Sequence, residues 1–165
     1  MGKKLIFGAL IALATFSVIL SASVGNPKVI PDGYVDIGGQ QYYINVSQYF
    51  KKDEARAFCN SLNMDIVSFE EKNKWDTINT WAQEHQDELS KHWFWIGAER
   101  VNTTHWRWEV SKKPITRFYW IEPEPDLAAE VSETICLGFV SYSFASGWCD
   151  DICDDEFIAY SVLCQ

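Results

Sequence analysis

The sequence predicts a single α+β domain behind a short apolar leader. Three observations predict it. Residues 51–86 carry apolar side chains at three- and four-residue steps, the remainder is crowded with aromatic and β-branched runs, and four of the five cysteines fall within the last 30 residues. Helical patterns early and strand patterns late, without regular alternation, is the α+β arrangement. No internal repeat, low-complexity tract or linker divides the chain.

The first residues, Met1-Gly-Lys-Lys4, precede an apolar run from Leu5 to Leu20 and the small residues Ser21-Ala-Ser23. A basic start, a short apolar run and small residues describe a secretory signal peptide over residues 1–23. The run is about 16 residues, short for a membrane-spanning helix. Removing this segment takes away two lysines and no acid, so the net charge of −9 becomes −11. That balance argues against nucleic acid, against an anionic membrane surface and against membrane insertion, because the first two call for a basic patch. All five cysteines and all eight tryptophans lie beyond the leader. In a secreted, extracellular chain such cysteines form disulfides. Five is odd, so two bridges and one leftover thiol follow, with the connectivity left open by spacing alone. The sequons Asn45-Val-Ser47 and Asn102-Thr-Thr104 mark Asn45 and Asn102 as expected glycosylation positions of a glycoprotein.

The elements can be taken in order. Residues 33–48 read as a hairpin, with Val35 and Ile37 alternating, Gly38-Gly39 turning the chain and Tyr42-Tyr-Ile44 returning. A first helix is expected over 51–62, with Ala55, Phe58, Cys59 and Leu62 on one face. After a short extended piece at 64–68, Ser68 and Glu71 stand at capping-box spacing. They would open a second helix over 69–86 that buries Trp75, Ile78 and Ala82. Trp93-Phe-Trp-Ile-Gly97 suits a central buried strand. Trp106-Arg-Trp108 and Phe118-Tyr-Trp120 read as further strands or loop anchors, and Cys136–Val140, Ser146–Trp148 and Phe157–Cys164 complete a strand-rich end. Trp93, Trp95, Trp106, Trp108 and Trp120 are read as core. His85, His92 and His105 have no metal-ligand spacing and are read as surface residues.

Between Trp120 and the end lie Glu124, Asp126, Glu130, Glu133, Asp150, Asp151, Asp154 and Asp155, framed by prolines and cysteines. Acid runs are usually solvated surface. Carboxylates held together on a pinned loop are what a hard cation such as Ca²⁺ takes as ligands.

The ordered set Ala57-Phe-Cys59, Trp95-Ile-Gly97, Trp106-Arg-Trp108, Trp120, Glu124-Pro-Asp126, Cys136, Trp148-Cys-Asp150, Cys153 and Cys164 resembles a C-type lectin-like domain, over residues 33–165. The short form with sequons is similar to the secreted single-domain lectins of invertebrates. The resemblance implies two helices and a twisted antiparallel sheet with a long disulfide-stapled loop region. It implies the bridges Cys59–Cys164 and Cys136–Cys153, with Cys149 unpaired. It also implies a Ca²⁺ cofactor held by Glu124, Asp126, Glu133 and Asp150, a cis Pro125, and glycan hydroxyls bound through Glu124, Asp126 and Asp150.

The sequence departs from the family pattern in three places. Glu-Pro-Asp mixes the Glu-Pro-Asn and Gln-Pro-Asp forms, so neither position offers an amide donor to a sugar and the sugar preference is unreadable. The downstream acid is displaced: Thr134 stands where it belongs, with Glu133 one residue and Glu130 four residues before. Cys149 replaces the Asn of the usual Trp-Asn-Asp, and thiolate is a poor ligand for Ca²⁺. Leu127 stands where an auxiliary calcium site would need an acid. Cys149 itself could be an inert buried thiol, the bridge of a disulfide-linked dimer, an alternative partner of Cys136, or part of a zinc site with Cys153.

The function expected is that of a secreted, calcium-dependent lectin for glycans or glycoproteins, in innate immune or cell recognition. The alternative is a calcium-independent, protein-binding domain with a degenerate sugar site. An enzyme is not expected: acid pairs are plentiful, but there is no nucleophile–base pair and no phosphate loop.

Overall fold

The computed structural model describes residues 30–126, 134–153, 155 and 157–165. The signal segment 1–23 and Leu127, Glu130, Glu133 and Asp154 lie outside them. Strands β1 (Gly33–Ile37) and β2 (Gln40–Phe50) form the expected hairpin. Its turn needs glycine at position 38: φ is +63°, and a Cβ there would stand 2.4 Å from the Thr77 Cγ2. The turn therefore seats flat on the second helix.

Helix α1 (Lys52–Ser61) buries Ala55 and Cys59, as its periodicity predicts. The Glu54 carboxylate accepts the Lys51 backbone N–H at 2.9 Å, tying down the first turn. Asn63, at φ +56°, follows the C-terminus, a left-handed position asparagine tolerates. Helix α2 (Lys72–Glu84) buries Trp75, Ile78 and Ala82 but starts three residues later than the spacing suggests. The Ser68 hydroxyl is the reason: it accepts from Gln165 Nε2 at 2.9 Å, while the Ser68 N–H donates to Gln165 Oε1 at 3.0 Å. Its hydrogen bonds go to the C-terminal residue, so it does not cap a helix. A third helix, α3 (Gln86–Leu89), was not expected; it buries Leu89.

The remaining strands are β3 (Trp93–Trp95), β4 (Ala98–Asn102), β5 (His105–Trp108), β6 (Ile135–Ser141), β7 (Ser146–Ile152) and β8 (Tyr160–Cys164). Six of them form one sheet in the order β1-β2-β8-β3-β6-β7. The pairs are antiparallel except β3 with β8, which meet in parallel at Phe94 and Ser161. Strands β4 and β5 form a separate ribbon, so the Trp106–Trp108 run does not join the main sheet. Residues 118–120 are no strand; Trp120 makes a single bridge to Trp148.

Aromatic rings fill the space between α2 and the sheet. Phe69 stacks on Trp148 at 5.6 Å, and Trp75 meets Phe139 edge-on at 5.6 Å. Such rings each bury some 150–250 Å² and carry much of the hydrophobic free energy. Trp95, Trp106 and Trp108 are buried as expected, whereas Trp93 and Trp120 pack against the core half-buried. His105 is exposed, but His85 and His92 are half-buried, and His92 Nδ1 lies 3.1 Å from the Ser161 hydroxyl. Both implied disulfides are present, Cys59–Cys164 and Cys136–Cys153.

One cation lies inside among the described residues. Lys52 is 2 % exposed, with its ammonium 3.0 Å from Glu109 and donating to the Ile96 carbonyl. Arg56 grips the same Glu109 through Nε at 3.2 Å and Nη2 at 3.0 Å. Burial pulls Lys52 down to about 8, against the opposing pull of Glu109.

Candidate metal centre

The centre is built by laying the 119–126 segment against β7. Trp148 donates its N–H to the Tyr119 carbonyl at 2.6 Å, and Ile121 donates to the Trp148 carbonyl at 3.0 Å. This approach depends on Gly147, where a Cβ would sit 2.7 Å from both the Tyr119 oxygen and the Ile121 nitrogen. The sequence offered a small signal for it, a glycine directly before the buried Trp148. From Ile121 the chain turns, Glu124 donating to the Ile121 carbonyl at 2.7 Å. The peptide bonds before Pro123 and Pro125 are both cis, the second as implied.

Three expected ligands are thereby brought together. Glu124, Asp126 and Asp150 each place a carboxylate oxygen so that all three lie within 4.8 Å of one another. Asp150 is 4 % exposed and sits on β7 opposite Leu137. Its Oδ1 accepts the Asp126 backbone N–H at 3.0 Å. Glu124 is half-buried, and its Oε2 is buried without a hydrogen-bond donor among the described residues. Asp126 is exposed. Crowding has an electrostatic cost: burial first, then a hydrogen bond shared with Asp150 and the charges of Asp126 and Asp150, push the Glu124 carboxyl up to about 7. A donor set made only of carboxylate oxygens, one of them buried without a donor, fits a hard divalent cation such as Ca²⁺. Such a cation takes six to eight oxygens, so water, backbone or ligand oxygens have to complete the shell. Glu133 lies outside the described residues, and the neighbouring Thr134 is exposed.

Cys149 is not part of this group. Strand alternation sends it to the opposite face from Trp148 and Asp150. There it joins Trp95, Val140 and Tyr160 in the core at 1 % exposure. Glycine at its cross-strand partner, position 138, makes room for it, since a Cβ there would be 3.0 Å from Cys149 Sγ. Burial pushes the thiol well above its usual range, with the charges of Glu124 and Asp151 adding to the effect. Three expected uses of Cys149 are corrected by this placement. Cys153 is bridged to Cys136, which removes both the swapped pairing and the zinc site. A sulfur this buried has no path to a second chain, so the disulfide-linked dimer through Cys149 has no exposed thiol to form it. Tyr160 donates to Asp151, which is thereby drawn away from the carboxylate group.

The sequons also separate. Asn102 ends β4 exposed, whereas Asn45 is only 6 % exposed within β2.

The family model for the lectin C-type domain matches residues 50–165. E-selectin of Rattus norvegicus is 25 % identical over 127 residues, covering 74 % of this chain and 22 % of that protein. The chain thus spans about a fifth of the length of this curated relative. Among solved structures, the C-type lectin domain of murine dendritic cell inhibitory receptor 2, in complex with N-glycan, superposes with a TM-score of 0.62 at 18 % identity, covering 82 % of this chain and 96 % of that one. The Ca²⁺-independent C-type lectin SPL-2 from Saxidomus purpuratus superposes at 0.60 with 25 % identity, covering 81 % and 91 %.

Proposed function

The chain belongs to the lectin C-type domain family, a carbohydrate-binding family, and from that premise we propose that it is a secreted glycan-binding protein whose Glu124, Asp126 and Asp150 hold Ca²⁺. One observation carries the reading: three carboxylate oxygens from two chain segments lie within 4.8 Å of one another. Like charges this close repel, and a bound cation offsets that repulsion as a proton on Glu124 would. Bound Ca²⁺ would accept two neighbouring sugar hydroxyls into its shell. Glu133, just before β6, is proposed as a further ligand.

The residues set how a sugar would be held. Glu124 and Asp126 are both acceptors when ionised, so each takes a hydrogen bond from a hydroxyl and neither gives one. The site therefore lacks the donor–acceptor asymmetry of the amide-containing triplets, and it grips a diol by charge and geometry. Few contacts mean weak binding at one site, strengthened when several copies engage one surface. Binding without catalysis is part of the proposal. The leader at 1–23 supports export. Among the described residues no helix is long and apolar enough to cross a membrane.

A second reading has its own observation. Cys149 turns away from the centre, leaving β7 to supply the Asp150 carboxylate, and SPL-2, a lectin of the same fold, is Ca²⁺-independent. In that reading the domain binds a protein partner without metal. Calorimetric titration of Ca²⁺ into metal-stripped protein, followed by a glycan array with and without EDTA, decides between them. One-site calcium binding with EDTA-sensitive glycan signals is expected. No calcium binding up to millimolar concentration favours the second reading.

A further inference from the structure

We propose that the folded protein carries a single N-linked glycan, on Asn102, and that its other sequon, at Asn45, stays unmodified. The proposal rests on the secretory reading above, since the transfer occurs in that compartment.

The two acceptor amides differ in exposure and in what packs around them, which is what matters to a bulky modification. Asn102 lies at the end of β4, beside the turn into β5, exposed along with Thr103 and Thr104. Its Oδ1 accepts the Thr104 N–H at 3.0 Å and the Thr104 hydroxyl at 3.2 Å. The same oxygen lies 2.9 Å from His105 Nδ1, so the side chain is held by its oxygen, with the sequon hydroxyl folded back onto it, on an exposed residue. Asn102 also borders a shallow cavity of about 360 Å³ with Val101, Trp106 and Pro114 on its wall. Val101 is 54 % exposed, so a first sugar residue there would cover apolar surface and displace no packed group.

Asn45 has none of this freedom. It is 6 % exposed and pairs across to Val162 in the middle of the main sheet. Its Oδ1 accepts the Gln48 N–H at 3.0 Å, at the point where the β2–β8 register shifts. The sequon's Ser47 is occupied as well: its N–H donates to Asp32 at 3.2 Å and its hydroxyl donates to the same carboxylate. A glycan on Asn45 would have to grow from a side chain packed on the sheet face, so a chain modified there could not keep that packing.

The chemistry balances without a redox partner. Asn102 Nδ2 attacks the anomeric carbon of an oligosaccharide carried on a polyprenyl diphosphate. The new C–N bond forms as the C–O bond to the diphosphate breaks. The electron pair leaves with the diphosphate, and the amide proton passes to base.

The test is expression of the full chain in eukaryotic cells, in one arm with its own leader and in a second with residues 1–23 replaced by a proven one. Intact mass and glycopeptide mapping are read on the secreted, folded protein before and after enzymatic deglycosylation. One glycan on Asn102 is expected, lost in Asn102→Gln and kept in both Asn45→Gln and Ser47→Ala; the second of these removes the sequon while leaving Asn45 and its hydrogen bond in place. A glycan on Asn45 in the folded protein, or no glycan in the arm with the proven leader, overturns the proposal. An Asn102 glycan with the proven leader but no export with the native one supports the assignment and defeats the secretory reading instead.

Discussion

The Asp150 Oδ1 receives the backbone N–H of Asp126 at 3.0 Å, so a rigid strand holds the loop that carries the other two carboxylates. Charge and position are thereby separable at one residue. Asp150→Asn keeps an oxygen for the Asp126 N–H but removes the charge; Asp150→Ala removes both. Calcium affinity is expected to fall about tenfold in the first, roughly 1.4 kcal/mol, and further in the second. Calorimetry on the two variants checks the order. Equal affinities in Asp150→Asn and the parent protein would remove Asp150 from the ligand set.

Cys149 is buried beside Trp95 and Tyr160 with its thiol held protonated. The native protein is expected to resist a maleimide at neutral pH for hours and to label at one cysteine on unfolding without reductant. Mass spectrometry reads this directly. Replacing it to recreate the usual Trp-Asn-Asp pattern is expected to fail as a repair. Cys149→Asn would place an amide among aromatic rings, costing about 1–3 kcal/mol for unsatisfied polar atoms without moving a ligand into the centre.

Glu109 answers two cations, Lys52 inside and Arg56 nearer the surface. Glu109→Gln leaves the Lys52 ammonium buried without a counter-charge, and such single deletions cost about 3–5 kcal/mol. A drop of that order in urea unfolding is expected, even though residue 109 lies in no helix or strand. A loss below about 1 kcal/mol would mean Lys52 is buried neutral.

The same lysine gives a pH signature. Its folded value of about 8 lies below the ordinary 10.5. Below about pH 8 both states hold the proton and the folded state bears the full cost of burying it. Between the two values the unfolded chain binds the proton and the folded chain does not, so stability rises with pH. From about pH 8 to 9.5 Lys52 alone contributes a gain of about 1.5 kcal/mol, opposed in the same window by Cys149, whose thiol ionises in the unfolded chain while the folded core keeps it protonated. Lys52→Met should remove the rising contribution, so the parent gains stability relative to the variant between these pH values, as read by denaturant midpoints at several pH values.

Local signals in the sequence were strong enough to mark both long helices, because Ala55, Cys59, Trp75, Ile78 and Ala82 each fall on a buried face. The carboxylate cluster was legible for a different reason: cis Pro125 and the Glu124, Asp126 and Asp150 positions follow a family pattern. What could not be read depends on partners distant in sequence. Ser68 looked like a cap until Gln165 claimed its hydroxyl. Nothing local marks Lys52 for burial, since its partner Glu109 lies far along the chain. Cys149 looked like a lost ligand, and only the β6–β7 register shows that its side chain occupies space vacated by Gly138.

The position of β8 also bears on how the protein is made. The strand from Tyr160 to Cys164 lies between β2 and β3, in the middle of the sheet, yet it follows every one of its sheet neighbours in the sequence. Until it emerges, β2 and β3 each present an open edge, and Cys59 has no bridging partner. Pairings between such distant segments are slow to form, and unpaired edges are prone to wrong association. The sheet therefore stays split in two until β8 is made, which makes the arrival of this one strand the step that closes the domain.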